Sequence, residues 1–239
     1  MLRVLIDIGN TASKLAFARG KEIVTVVRGW QQAPLDFLRE TMQDPVYELI
    51  VLSSVRHKDA EMEAFLREKG PLVVVTGDTK SALKINYATP DRLGSDRLAA
   101  DLGALTLFKG EDLLVIGFGT AITYDFISKE GYCLGGNISP GLQMRFKALA
   151  HYTDGLPLIE MDPDEDIPDC GIDTRGALLA GVVQGITDEI SAYILRNGDK
   201  KVIFTGGDAN FFAKKLKTPI FVDCNLVFIG LAELSKDYA

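Results

Sequence analysis

Apolar residues along this chain fall into short runs punctuated by glycine turns, and their spacing predicts the elements in order. Val4, Leu5 and Ile6 make a buried strand that stops at Asp7. The chain turns at Gly9 and Asn10 and returns as an alternating strand over residues 14–19. A turn of Arg19, Gly20 and Lys21 leads into a third strand over 22–28. The period then changes, predicting a helix at 34–42, a strand at 47–52, an amphipathic helix at 59–69 and a strand at 72–75. A long helix over about 92–108 follows, and Lys109, Gly110 and Glu111 mark a boundary.

The second half begins in the same way. Residues 112–116 run into Gly117, Phe118, Gly119 and Thr120, emerge as a strand over 121–127, and lead past Gly131 to a strand at 132–134. Helices are predicted at 142–150, 175–196, 209–216 and 226–234, and strands at 202–205 and 220–223. Gly9 and Gly119 occupy equivalent places, so the chain reads as a diverged duplication. The expected solution is α/β, with lobes at 1–110 and 111–239, each a mixed sheet flanked by helices, and a ligand cleft between them.

Composition narrows the function classes. A chain of 239 residues, 47% hydrophobic and 25% charged, can bury a core. A formal net charge of −7 argues against general nucleic-acid binding, since the one basic run, Lys214, Lys215 and Lys217, suits a solvated helix end. Asp7 interrupts what would be the apolar region of a leader, and no later apolar run reads as long enough to span a membrane. A cytoplasmic protein is therefore expected. Cys133, Cys170 and Cys224 lack zinc-site spacing and read as ordinary thiols; His57 and His151 have no ligand-pair spacing.

Asp7-Ile8-Gly9-Asn10-Thr11 is the sharpest feature, combining a strand-end carboxylate, exposed backbone amides and short polar side chains. It can hold nucleotide phosphates, although Gly9 and Asn10 also suit a plain hairpin turn. Residues 117–123 repeat the device, so a triphosphate would be gripped from both sides of one cleft. Thr205-Gly206-Gly207-Asp208-Ala209 would let a flat ligand such as adenine approach the backbone, or would simply turn strand into helix. Gly94-Ser95-Asp96-Arg97 places a carboxylate beside a guanidinium at a helix start. Asp96 would there accept the proton of a substrate hydroxyl and Arg97 would bind the acceptor, or Asp96 is only a helix N-terminal charge. Gly135-Gly136-Asn137-Ile138-Ser139-Pro140-Gly141 reads as a strand-to-helix junction.

Taken in this order, with Tyr87 ahead of Gly94 and Thr174 ahead of Gly181, the motifs resemble the type III pantothenate kinases of the acetate and sugar kinase, heat-shock chaperone and actin superfamily. The resemblance implies two tandem ribonuclease H-like (actin-like ATPase) lobes and ATP-dependent phosphorylation of pantothenate to 4′-phosphopantothenate, the first step of coenzyme A biosynthesis. It implies that Asp7, Ile8, Gly9, Asn10, Thr11, Ala12, Ser13, Lys14 and Thr120 bind ATP, with magnesium held indirectly at Asp7. It makes Asp96 the proton acceptor, with Tyr87, Gly94, Ser95, Asp96, Arg97 and Thr174 contacting pantothenate. A homodimer is implied as well, as is a monovalent cation, potassium or ammonium. Gly117 departs from the family, which places there an aspartate that ligates that cation. A weaker potassium dependence is expected unless backbone carbonyls or Asp125 compensate. Two other readings remain: a kinase of another small alcohol or sugar, disfavoured by the short chain, and a nucleotide-binding accessory protein, disfavoured by intact Asp7, Asp96 and Arg97.

Overall fold

The computed structural model describes residues 2–20, 22–162, 165–216 and 218–238. Lys21 and Lys217, read above as parts of a turn and a basic run, lie outside the described residues. The first strands are β1 (Arg3–Ile8), β2 (Ala12–Arg19) and β3 (Glu22–Trp30), followed by α1 (Pro34–Thr41), β4 (Leu49–Ser54), α2 (Ala60–Lys69) and β5 (Leu72–Val75). Their sheet runs β3-β2-β1-β4-β5, with β1 antiparallel to β2 and parallel to β4. After β6 (Lys84–Ile85) and α3 (Ser95–Leu107) come β7 (Leu113–Phe118), β8 (Ala121–Ile127), β9 (Tyr132–Pro140), α4 (Leu142–Tyr152) and α5 (Thr174–Arg196). The chain ends in β10 (Lys201–Gly206), α6 (Ala209–Lys215), β11 (Phe221–Val222), α7 (Leu226–Leu234) and a short 3₁₀ turn.

The second sheet runs β11-β10-β7-β8-β9-β6. Without β6 it repeats the strand order of the first sheet, which is the duplication expected from the two glycine turns. Three local readings differ. The glycine-dense segment after Leu134 continues as strand to Pro140, and the two-residue β6 pairs with Tyr132 and Cys133. The long helix starts at Ser95, because Pro90–Arg92 form a separate 3₁₀ turn.

Two compact units can be described, one of Met1–Leu113, Asp125–Gly135 and Asn225–Ala239, the other of Leu114–Tyr124 and Gly136–Cys224. In the first, Val4, Ile6 and Ile8 on alternate positions of β1 join Phe37 and Leu38 of α1 and Met62 and Leu66 of α2 in one core. Asp59 caps α2, accepting the Met62 amide at 3.0 Å. In the second unit Phe118 packs on Phe204 and Phe212 at centroid distances of 4.8 and 5.3 Å. There α5, the helix expected at 175–196, is long and apolar enough by length and composition to cross a membrane, which corrects the reading that no apolar run is long enough. Leu178, Leu179, Val182, Val183, Ile186 and Ile190 form its buried stripe, the spacing of a helix that serves a protein core.

On the other side of the first sheet, α3 crosses α7 at very close range. A methyl group on Gly230 would overlap the Ala99 carbonyl, and one on Gly103 would overlap the Leu226 carbonyl. Ordinary helix propensity favours alanine over glycine by about 1 kcal/mol. Here Gly230→Ala is expected instead to destabilise by about 1–3 kcal/mol, the usual cost of overpacking. The measurement is the urea midpoint at unchanged slope. An equal or higher midpoint would show that the two helices separate without cost.

Candidate active site

Strand parity decides which side chains meet. Because Val4, Ile6 and Ile8 enter the helix-covered core, Asp7 projects from the opposite face. Lys14 is its register partner on β2, and Lys14 Nζ lies 3.4 Å from Asp7 Oδ2. Ser53 is its partner on β4, and Ser53 Oγ lies 2.9 Å from Ser95 Oγ, which fixes the first turn of α3 to the same place. Asp96 Oδ1 folds back to accept the Arg97 amide at 2.8 Å. Glycine at 94 makes room for that carboxylate, since a Cβ there would sit 2.6 Å from the same oxygen.

Burial raises the Asp7 carboxyl above the usual range; the Lys14 ammonium opposes this, and the Asp96 charge adds to it. Burial likewise raises Asp96, against the pull of the Arg97 amide and guanidinium. Arg97 is 8% exposed and donates from Nε to Asp125 Oδ1 at 3.0 Å, with a second, shorter bond from Nη2. Asp125 holds the guanidinium charged despite its burial, helped by Asp101 and a hydrogen bond with Tyr87. The structure thus joins Asp7, Lys14, Tyr87, Ser95, Asp96 and Arg97 in one unit.

Asp125 is itself 2% exposed and bound to Arg97. It therefore does not stand as the spare cation ligand the sequence suggested in place of the missing carboxylate at 117. Asp101, one helical turn beyond Arg97, is fully buried, and burial followed by the Asp125 charge pushes its carboxyl far up. Its Oδ1 has no hydrogen-bond partner, and Oδ2 lies 3.7 Å from the buried Cys133 thiol. Burial pushes that thiol up to about 12, an inert core cysteine. Sequence reasoning missed Ser53 and Asp101; their signal would have been polar residues inside otherwise apolar runs.

At the end of β1 the Gly9 amide donates to Ala12 O at 3.0 Å, and Asn10 and Thr11 are exposed at the tip. Ser13 belongs to the opposite face from Lys14, and its buried hydroxyl finds no partner. Within residues 7–14 the charged side chains on the site face are therefore Asp7 and Lys14, with Ala12 on the same side of β2. The Ser54 hydroxyl accepts the Arg56 amide at 3.2 Å, and the Arg56 side chain turns onto the tip, donating to Gly9 O at 2.9 Å and Asn10 O at 2.8 Å. No cluster of three acidic, His or Cys side chains that could hold a metal occurs among the described residues. The donor set fits a magnesium ion bound mainly by phosphates and water, with Asp7 holding it indirectly. A divalent cation would favour the ionised form that burial disfavours.

In the second unit the Gly119 amide donates to Ala121 O at 3.0 Å, the counterpart of the first turn, and the half-buried Thr120 follows Gly119. A Cβ on Gly117 would sit 2.7 Å from Thr123 Oγ1, so the threonine hydroxyl takes up the space that a side chain at 117 would need. Gly206, at φ +98°, lies against the Phe118 backbone with no room for a side chain, whereas Gly207 faces open space. Burial alone raises the neighbouring Asp208 carboxyl. Thr174 is the exposed first residue of α5, just after the cap Asp173, whose Oδ1 accepts the Gly176 amide at 2.7 Å. His57 and His151 are exposed.

A profile of the type III pantothenate kinases matches residues 3–196. A type III pantothenate kinase from Porphyromonas gingivalis is 41% identical over 240 residues, covering 95% of each chain. Among solved structures, that of a conserved Baf family protein from Campylobacter jejuni is 25% identical, covers 98% of each chain and superposes with a TM-score of 0.66. An activator of 2-hydroxyisocaproyl-CoA dehydratase from Clostridium difficile, solved with bound ADPNP, shares the fold alone, at 13% identity, a TM-score of 0.56 and coverage of 100% of this chain and 96% of its own. These neighbours share the fold of two mixed sheets flanked by helices. With the match running across nearly its whole length, the chain belongs to the type III pantothenate kinase family.

Proposed function

We propose that this protein transfers the γ-phosphoryl group of ATP to pantothenate, giving ADP and 4′-phosphopantothenate at the entry to coenzyme A biosynthesis. The observation that carries the reading is the placement of Asp96. Its carboxylate stands on the first turn of α3, near enough for its charge to be felt at Asp7, and beside Arg97. In this reading the acceptor hydroxyl oxygen bonds to the γ-phosphorus as the bond to the bridging oxygen breaks. ADP departs, and the hydroxyl proton goes to Asp96.

Residues 7–14 and Thr120 bind the nucleotide, with Lys14 neutralising phosphate charge and Asp7 holding the magnesium side. Magnesium, when bound, supplies charge neutralisation on the phosphates. Tyr87, Gly94, Ser95, Arg97 and Thr174 hold the acceptor. Arg97, gripped along its Nε and Nη2 side by Asp125, is a preset cation for the pantothenate carboxylate. The lobe division at Gly110, the cytoplasmic setting and the homodimer belong to the same reading. An apolar groove of 390 Å³ beside Pro140, Leu149, Leu178 and Val182, together with exposed Tyr152 and Ile172, supports a partner copy on the second unit.

Asp96→Asn keeps the shape but cannot take the proton, so kcat should fall by about 10²–10⁴-fold with little change in melting temperature. ADP release measured with pantothenate and with a panel of other small alcohols tests both the base and the acceptor; most of kcat surviving would return Asp96 to a helix-end charge. Because the base works ionised and burial raises its carboxyl, activity should be lost as pH falls through a value above the ordinary aspartate range of about 4. An acid limb at or below that range would contradict this. With Thr123 where a carboxylate would stand, potassium should activate only weakly against a bulky organic cation. Steep, saturable activation would show a complete cation site despite Gly117. Sedimentation at assay concentration should show a dimer, and a fully active monomer would remove the oligomer from the reading.

A further inference from the structure

Arg56 follows β4 and is not among the residues that the motifs single out. β4 runs parallel to β1 with Ser54 beside Ile8, and the ladder continues one step further, the Val55 amide donating to Ile8 O at 3.1 Å. The chain then turns, with the Arg56 amide held by Ser54 Oγ at 3.2 Å. This leaves the exposed guanidinium over the tip of the first turn, where Nε and Nη2 reach two successive carbonyls, Gly9 O at 2.9 Å and Asn10 O at 2.8 Å.

The peptide bonds are trans. In a planar trans peptide the carbonyl and the amide of one unit point in opposite directions. Fixing the Gly9 carbonyl therefore fixes the direction of the Asn10 amide, and fixing the Asn10 carbonyl fixes that of the Thr11 amide. Both N–H groups are aimed away from the guanidinium, side by side, which is the arrangement of backbone donors that holds a phosphate oxygen. The fork geometry of arginine is what allows one side chain to hold two adjacent carbonyls, and a lysine ammonium has no such fork.

We infer that Arg56 is a positioning residue for nucleotide phosphates, acting by locking the two peptide planes of the turn rather than by touching substrate. The inference rests on the ATP-binding reading of the turn. Being exposed, Arg56 can be replaced without opening the core. Binding of MgATP by calorimetry, with ATP and pantothenate KM values, tests it on the intact protein. Arg56→Ala is expected to weaken MgATP binding and raise the ATP KM by about tenfold, leaving pantothenate KM within about twofold and the melting temperature unchanged. Arg56→Lys is expected to recover only a minor part of the lost affinity. MgATP binding by Arg56→Ala within about twofold of wild type would overturn the inference while leaving the kinase reading intact. Full recovery by lysine would overturn it in favour of simple charge. Wild-type protein that binds no MgATP would overturn both.

Discussion

The Arg97–Asp125 pair is the interaction on which the chemistry of the first unit depends. Helix α3 is buried from Arg97 to Leu105, yet it carries Asp96, Arg97 and Asp101 within two turns. Each of these charges would cost several kcal/mol to bury alone, and the direct pairing of Arg97 with Asp125 offsets part of that cost. The remaining acids adjust differently. Asp96 stays at the helix start, where backbone amides and Arg97 oppose its burial, whereas at Asp101 full burial and the Asp125 charge outweigh Arg97 and the Cys133 thiol and push it toward its neutral form. One helix thus presents a raised carboxyl and a paired cation at its first turn and a buried acid pushed toward its neutral form behind them. Truncating Arg97 would remove the cation that Asp125 grips in the core, so a loss of activity in such a variant would mix any role in recognition with a fold defect of about 3–5 kcal/mol.

The same helix is held by shape as well as by charge. Its far end crosses α7 through Gly103 and Gly230, and its near end is tied to β4 through Ser95 and Ser53. The Ser95 hydroxyl both meets Ser53 and bonds the Ser54 carbonyl at 3.4 Å. Ser53 lies beside Asp7 in the ladder, so the first turn of α3 and the Asp7 carboxyl of β1 are referenced to the same strand. Rigid elements hold every member of this group except Tyr87, which stands in the loop ahead of α3.

Much of this was legible in the sequence because local pattern and global fold agree. The alternation in residues 14–19, the glycine turns and the amphipathic helices gave element types and order, and the equivalence of Gly9 with Gly119 gave the repeated sheet. What pattern does not carry is contact across the chain. Asp125 meets Arg97 and Arg56 meets Gly9 through strand neighbours far apart in sequence, and no local period announces either. The two-residue β6 is too short to have a period at all. The continuation of β9 through Gly135 and Gly136 was hidden by residues that normally end strands, although pairing rather than propensity decides there. Gly206, read as room for a ligand, is needed first for the Phe118 backbone.

Duplication preserved the scaffold but not its electrostatics. Asp7 stands two residues before Gly9, and Gly117 stands two residues before Gly119; across the hairpin Asp7 meets Lys14, while the space beside Gly117 holds the Thr123 hydroxyl. The first turn is thus flanked by an ion pair, in which ionisation is set by burial, a cation and a neighbouring acid, and the second by neutral groups. A carboxylate at 117 would have to displace Thr123 and would arrive without a paired lysine, so it would need a cation from solution to be ionised there. Without it the second turn keeps a hydroxyl where the first keeps an ion pair.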